Sequence, residues 1–200
     1  AAWVRPTLRL ANCVAVPSGF LHNVFARYGI RTEIVPNIVD LARFHPAARM
    51  PGAARGGPHF IVTRNLEPLY DIGTALEAFA ILRRELPQAR LTVAGSGPEL
   101  ASLQRRCKEL GIEDAVRFSG RLDPDAMAAL YREADVMLNP SRVDNMPNAL
   151  LEAFASGVPV VSTDVGGIPY FAEDGKTALL VPPGDPRAMA DAALRLVRDP

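Results

Sequence analysis

The sequence predicts an α/β domain built on a doubly wound parallel sheet. Short apolar runs alternate with longer stretches of helical periodicity along most of the 200 residues. Proline and glycine mark the ends of these stretches, and hydrophobic residues make up 48% of the chain, which is enough apolar mass for a core. Strands that alternate with helices of this length are typical of βαβ units, whose parallel sheet is covered on both faces.

Short apolar runs along the chain are the predicted strands. They lie at residues 13–16, 32–35, 59–63, 90–94, 116–119, 136–139, 158–162 and 178–181. The helical stretches between them have recognisable ends. Residues 72–86 end at Pro87, and residues 98–110 end at Gly111, a helix-stopping glycine. Asp123, followed at once by a proline, opens the next helix as its N-cap.

The composition argues against several classes of protein. Basic and acidic residues number 22 each, so the net charge is zero, which argues against a nucleic-acid binder. No apolar run approaches the roughly 18 residues of a transmembrane helix, and the first residues lack a signal-peptide pattern. Cys13 and Cys107 are too few for a disulfide framework or a zinc site. We therefore expect a cytoplasmic protein, and peripheral association of the full-length protein with the inner face of the membrane stays open.

One domain boundary is visible in the sequence. Residues 47–58 lack apolar periodicity and contain several glycines and prolines, which predicts a flexible loop. Residues 1–46 hold about one strand–helix–strand unit, which is too little to form a core. We interpret residues 1–46 as the tail of an N-terminal domain with its linker, cut from a longer chain. Residues 47–200 are then the ligand-binding domain.

Ligand contacts are expected where the strands end, because open parallel sheets bind ligands beyond the carboxyl ends of their strands. Gly95 and Gly97 follow one strand, where they either let a ligand approach the backbone or form a tight turn. Gly166 and Gly167 follow another, either as an anion-binding nest of N–H groups or as a plain turn. Arg64 is a cation placed directly after the strand at 59–63, a weak signal when taken alone.

The most informative stretch is 139–157. A helix begins at Pro147 and ends at Gly157, and its interior is apolar except for one charge, Glu152. A buried carboxylate needs a hydrogen-bonding partner, which is either a ligand or a nearby arginine. Asp144 lies in the preceding loop, so both carboxylates can line one cleft. The free N–H groups at the start of this helix point to the same place.

Several motifs together resemble a known family. They are Asp144 and Glu152 eight residues apart, Gly157-Val158-Pro159, Val165-Gly166-Gly167-Ile168-Pro169, Pro182-Pro183-Gly184-Asp185, and upstream Val35-Pro36-Asn37 and Gly95-Ser96-Gly97. In this order they resemble the C-terminal domain of the retaining, nucleotide-sugar-dependent glycosyltransferases of family 4, the group 1 glycosyl transferases. The resemblance covers nearly the whole chain. It implies a Rossmann-like domain that is the C-terminal half of a two-domain GT-B fold.

The resemblance also implies roles for individual residues. Glu152 would bind the ribose hydroxyls, Asp144 would be the catalytic residue beside the donor sugar, and Arg64 would hold the diphosphate. The other donor-binding positions fall on the base-contacting backbone of Arg121 and Leu122, the sugar-facing N–H groups of Asn148 and Ala149, and the glycine turns at Gly95, Gly97, Gly166 and Gly167. No metal or cofactor is implied, because the substrate is a UDP- or GDP-sugar that this family uses without a metal.

The sequence departs from the family pattern at several of these positions. Asp144 stands where the family has Glu and is one methylene shorter. The Lys that usually follows the Arg is missing, and Tyr70 stands near its place. Pro147 replaces a usual Gly and has no N–H, and Tyr170 stands where a Glu is common.

The resemblance implies the donor-binding domain of a hexosyltransferase-like enzyme of polysaccharide biosynthesis. It would transfer a sugar with retention to a carbohydrate or lipid-linked glycan bound by the N-terminal domain. Because residues 1–46 hold only the tail of that domain, this fragment is expected to bind nucleotide without turnover. Two alternatives stay open, a non-catalytic binding domain of the same fold and a nucleotide-sugar epimerase.

Overall fold

The structure is a computed structural model that describes residues 4–46 and 56–199, so residues 47–55 of the predicted flexible loop lie outside the described residues. The strands are β1 Ala15–Val16, β2 Glu33–Ile34, β3 His59–Thr63, β4 Arg90–Ala94, β5 Val116–Gly120, β6 Val136–Asn139, β7 Val160–Thr163 and β8 Leu179–Val181. The helices are α1 Val4–Arg9, α2 Gly19–Ala26, α3 Ile72–Glu85, α4 Leu100–Leu110, α5 Pro124–Glu133, α6 Asn148–Ala155 and α7 Pro186–Arg198.

The main sheet has six parallel strands in the order β5-β4-β3-β6-β7-β8. Alternate side chains of β3 face opposite layers, as the period of two in a strand requires. Phe60 and Val62 belong to the core beneath α3, α4 and α7, whereas Ile61 belongs to the core beneath α5 and α6. The predicted doubly wound sheet is therefore confirmed.

The order of the strands reverses between β3 and β6. From β3 the chain moves outward through β4 and β5, and it then returns to build β6, β7 and β8 on the other side. Loops that follow β3 and β6 therefore diverge and leave a crevice between them. Such a switch point is the usual ligand position in an open α/β sheet. Arg64 follows β3, and Asp144 lies in the loop after β6.

Several predicted element starts differ from the observed ones by one or two residues. The helix predicted at 98–110 begins at Leu100, because Pro98 and Glu99 form a turn in which the Glu99 N–H donates to the Leu66 carbonyl at 3.1 Å. The strand predicted at 158–162 occupies Val160–Thr163 instead. The end of the predicted helix at Gly111 is confirmed, and this glycine has a φ of 65°.

The segment before the predicted boundary packs on the rest of the chain. Strands β1 and β2 form a separate parallel pair with α2 beside them. Phe44 is buried in the core beneath α5 and α6, and its ring meets the Tyr131 ring edge to face at 5.9 Å between centroids. Residues at the end of this segment thus belong to the same hydrophobic core as α5 and α6.

Candidate functional site

Arg64 and Asp144, which are distant in sequence, meet at the switch point. The Arg64 Nη2 atom lies 2.6 Å from the Asp144 Oδ2 atom. The side chains are only 10% and 9% exposed, so this is a largely desolvated ion pair. The sequence placed both residues in the loops that follow β3 and β6, and the structure brings them together in the crevice between those loops.

The Arg64 guanidinium has a second support and one unused donor. Its Cζ atom lies 4.1 Å from the centroid of the Tyr70 ring, a cation–π contact. The buried Nε atom has no hydrogen-bond partner among the described residues. Tyr70 stands near the family's lysine position, so an aromatic face supports the arginine where the family has a second cation.

The Gly166–Gly167 pair holds the loop that contains Asp144. A Cβ atom on Gly166 would lie 1.9 Å from the Asp144 carbonyl oxygen, and one on Gly167 would lie 2.1 Å from the Asn145 carbonyl oxygen. The Gly167 N–H donates to the Asp144 carbonyl at 3.1 Å. The predicted anion nest is therefore wrong for this N–H, because the neighbouring loop already occupies it. The glycines are required for contact between two ligand-side loops.

Gly95 and Gly97 also lie against backbone carbonyl groups of a neighbouring loop. A Cβ atom on Gly95 would lie 1.9 Å from the Arg64 carbonyl oxygen, and one on Gly97 would lie 2.3 Å from the Leu66 carbonyl oxygen. The Leu66 N–H also donates to the Ser96 carbonyl at 3.0 Å. Of the two alternatives left open by the sequence, the structure supports the tight turn. These glycines fix the backbone of the Arg64 loop.

Glu152 has a protein partner that the sequence did not identify. The single proton of the Tyr131 hydroxyl is shared between the Glu152 Oε2 atom, at 3.2 Å, and the Ala149 carbonyl oxygen, at 2.9 Å. Thr63 Oγ1 lies 2.8 Å from the same hydroxyl, so it donates to the tyrosine oxygen. Burial raises the pKa of the Glu152 carboxyl, and the Tyr131 hydrogen bond offsets part of that rise.

Among the described residues, the hydrogen-bond partner of Glu152 is Tyr131 and not an arginine. Tyr131 is fully buried on α5, and desolvation raises the pKa of its phenol, so it stays a neutral donor. The sequence contained one usable signal: a tyrosine on the buried face of a helix needs a partner for its hydroxyl. Which residue would be that partner depends on tertiary packing.

The other predicted contacts line the same edge of the sheet. Arg121 is exposed directly after β5, and Leu122 is half-buried against the core beneath α5 and α6. Asn148 and Ala149 are the first residues of α6, where helix geometry leaves N–H groups without intrahelical acceptors. These positions fit a ligand that extends along the crevice.

Contacts from the N-terminal segment also reach this edge, and the sequence did not predict them. The Ser18 hydroxyl, at the start of α2, donates to the Asn145 side chain, and the Asn37 amide donates to the Met146 carbonyl at 2.8 Å. The Asn23 amide donates to the Tyr170 hydroxyl at 3.2 Å. The loop after β6 therefore contacts both halves of the chain.

Other features of the molecule lie away from the switch point. A groove of about 500 Å³ runs between α5 and β5, with Arg117 and Leu130 in its wall. Within residues 4–46 and 56–199, no cluster of three or more His, Cys, Asp or Glu side chains could hold a metal ion. No helix in those segments is long and apolar enough to cross a membrane.

The fold and site together define a class of protein, an α/β domain in which one cation and two carboxylates lie at the switch point of the sheet. The family model described as "Glycosyl transferases group 1" matches residues 57–199. Because that match covers well over half of the chain, the protein belongs to the group 1 glycosyl transferases. The family and the Rossmann-like, GT-B type fold implied by the resemblance are confirmed.

Individual relatives agree with this family. The chain is 35% identical over 207 residues to the D-inositol 3-phosphate glycosyltransferase of Frankia alni, covering 96% of this chain and 51% of that protein. Sucrose-phosphate synthase from Thermosynechococcus elongatus has a similar structure, with a TM-score of 0.85 and 27% identity over 98% of this chain and 51% of that one. The chain therefore spans about half the length of these relatives.

A third comparison concerns the fold alone. Anabaena HepE, solved in complex with UDP and glucose, superposes with a TM-score of 0.85 at 22% identity. The match covers 98% of this chain and 56% of the HepE chain. At this level of identity the likeness supports the shared architecture only.

Proposed function

We propose that this chain is the donor-binding part of a glycosyltransferase that takes a sugar, with retention, from a nucleoside diphosphate sugar. The observation that supports this most is the meeting of Arg64 and Asp144 at the switch point, beside the helix that contains Glu152. A cation at a switch point suits a diphosphate. The Frankia alni relative is named a glycosyltransferase, which favours transfer over epimerisation or binding alone.

Arg64 and Glu152 are assigned to the two ends of the nucleotide. The Arg64 guanidinium lies at the switch point and keeps a buried donor unused, which suits a phosphate oxygen. Glu152 has one carboxylate oxygen held by Tyr131, so its other oxygen is free to accept from ribose hydroxyls. Asp144 lies in the loop after β6, next to Arg64, and is assigned to the transferred sugar.

The acceptor is assigned to a domain that this chain does not include. The Frankia alni relative is about twice as long as the stretch that this chain matches. The contacts of Ser18 and Asn23 show that the N-terminal segment reaches the ligand edge. A carbohydrate or lipid-linked acceptor would therefore enter from that side, and this chain alone binds the donor without turnover.

Calorimetric titration of the chain with UDP and GDP, with and without EDTA, tests the donor assignment. Binding that needs no added metal is expected, because Arg64 and the N–H groups of α6 supply the positive end of the site. Loss of binding in EDTA and recovery with magnesium would contradict the metal-independent assignment. Binding of neither nucleotide would contradict the function itself. Product analysis on the full-length protein then separates a transferase from an epimerase.

A further inference from the structure

The Arg64–Asp144 pair combines a short ion pair with a hydrogen-bond donor that has no acceptor within the described part of the chain. Arg64 Nη2 bonds Asp144 at 2.6 Å, while Arg64 Nε is buried without an acceptor among the described residues. A buried N–H that lacks an acceptor destabilises the folded protein, and each such group calls for an explanation. A pair selected only for stability would satisfy this donor. The Arg64 guanidinium instead keeps one N–H that an incoming acceptor would satisfy once the pair opens.

Separate supports hold the two ends of the pair. The Tyr70 ring lies beneath the guanidinium at 4.1 Å, which holds Arg64 without using any of its hydrogen-bond donors. Gly166 and Gly167 hold the backbone of Asp144 through the contacts described above. Because neither support involves the ion pair, the pair can open while both residues stay close to their positions.

A diphosphate that reaches Arg64 also reaches Asp144. Two anions in a poorly solvated crevice repel each other unless a cation lies between them, and among the described residues Arg64 fills that place. The other cation described next to these loops, Arg142, is bound to Asp71 at 2.8 Å. The diphosphate and Asp144 therefore compete for one guanidinium.

We propose that Asp144 is an internal counter-ion for Arg64 which the donor diphosphate displaces. This inference rests on the proposed function. In the free protein the carboxylate neutralises Arg64. When the donor binds, its phosphate oxygens take Nη2 and the unused Nε, and Asp144 is released toward the hydroxyls of the transferred sugar. The exchange makes the carboxylate available only when a donor is present.

Titration of UDP into Asp144→Asn tests the exchange. The variant keeps the side-chain shape and removes the competing charge. UDP lacks the transferred sugar that Asp144 would contact, so it should bind on the order of tenfold tighter to the variant than to the wild type. Asp164→Asn is the matched control, since it removes one negative charge from an exposed position on the same edge of the sheet. Its UDP affinity should stay near that of the wild type. Unchanged or weaker UDP binding by Asp144→Asn, or equal gains in both variants, would overturn the exchange.

A measurement on the wild-type protein covers the case in which Asp144→Asn does not fold. The Arg64 Nε–H resonance, assigned by its loss in Arg64→Lys, should shift as UDP is added, because this N–H then gains an acceptor. A resonance that stays unchanged at saturating UDP would overturn the proposal. If wild-type protein binds no nucleotide, the proposed function fails as well. If binding depends on Arg64 but not on Asp144, only the exchange is rejected.

Discussion

Replacing Gly166 with alanine should separate loop packing from ordinary backbone strain. Gly166 has a φ of 57°, a conformation that costs an L-residue about 1–2 kcal/mol. The new Cβ would also lie 1.9 Å from the Asp144 carbonyl oxygen, which is backbone and cannot rotate away. Relieving such an overpacked contact costs typically another 1–3 kcal/mol. We therefore expect a total loss of about 2–5 kcal/mol.

Gly111→Ala is the matched control for this change. Gly111 ends α4 with a φ of 65°, and no described atom beyond its own helix and chain neighbours lies within 4 Å of the place that a methyl group would take. It should therefore lose only the conformational part, about 1–2 kcal/mol. Urea unfolding followed by far-ultraviolet circular dichroism gives both free energies, and UDP titration of the folded variants gives both affinities.

The two variants should also differ in binding. The Asp144 carbonyl must move from 1.9 Å to at least 3.4 Å from the new methyl group to reach an ordinary contact, which displaces the loop that contacts Arg64. Moving this loop loosens the competing Asp144–Arg64 pair, so UDP should bind more tightly to Gly166→Ala, in the same direction as to Asp144→Asn, whereas Gly111→Ala should bind UDP like the wild type. Equal stability losses in Gly166→Ala and Gly111→Ala, together with unchanged UDP affinity in both, would refute the role assigned to the glycine pair.

Three further predictions concern single side chains. Arg64→Ala should weaken UDP binding roughly tenfold to a hundredfold in calorimetry, because a charged hydrogen bond contributes about 1.5–3 kcal/mol. Arg83→Ala is the control and should leave UDP binding unchanged, since Arg83 lies on α3 and is paired with Asp114. Glu152→Gln should lose about 1–2 kcal/mol of UDP binding free energy. It should lose little stability in urea unfolding, because burial already disfavours the charged carboxyl. A large loss of stability with unchanged affinity would contradict this prediction. Burial and Arg90 lower the pKa of His59 below 6.5, so the unfolded chain takes up a proton before the folded one. The free energy of unfolding should keep its full His59 contribution above pH 6.5 and should fall as the pH drops below 6.5. Urea unfolding at a series of pH values should show a smaller fall in His59→Gln.

The architecture follows from sequence order, and so does the placement of Arg64 and Asp144 at the carboxyl ends of strands. Apolar runs that alternate with helical stretches form strands whose ends share one edge, and a switch point necessarily brings two of those ends together. The positions of both residues after strands therefore predicted them on one edge of the sheet, and the strand order in the structure shows that β3 and β6 flank the switch point. Their direct pairing was not predicted, because the lengths and paths of the two loops decide it.

The partners of Glu152 and of the glycines could not be predicted in the same way. Tyr131 reaches Glu152 because α5 and α6 lie side by side on one face of the sheet, which is a property of packing. The glycines suggested an approaching ligand, yet the Cβ positions of Gly95 and Gly166 are filled by neighbouring backbone. A glycine-rich turn indicates that something comes close, and the tertiary structure decides what it is.

A crystal structure of this chain with UDP bound tests the central claim most directly. The account predicts diphosphate oxygens within hydrogen-bonding distance of the Arg64 guanidinium, including its Nε, and ribose hydroxyls at the free carboxylate oxygen of Glu152. Asp144 should be separated from Arg64 in the same structure. Nucleotide bound instead in the groove between α5 and β5, with the Arg64–Asp144 pair still at its present 2.6 Å, would contradict it.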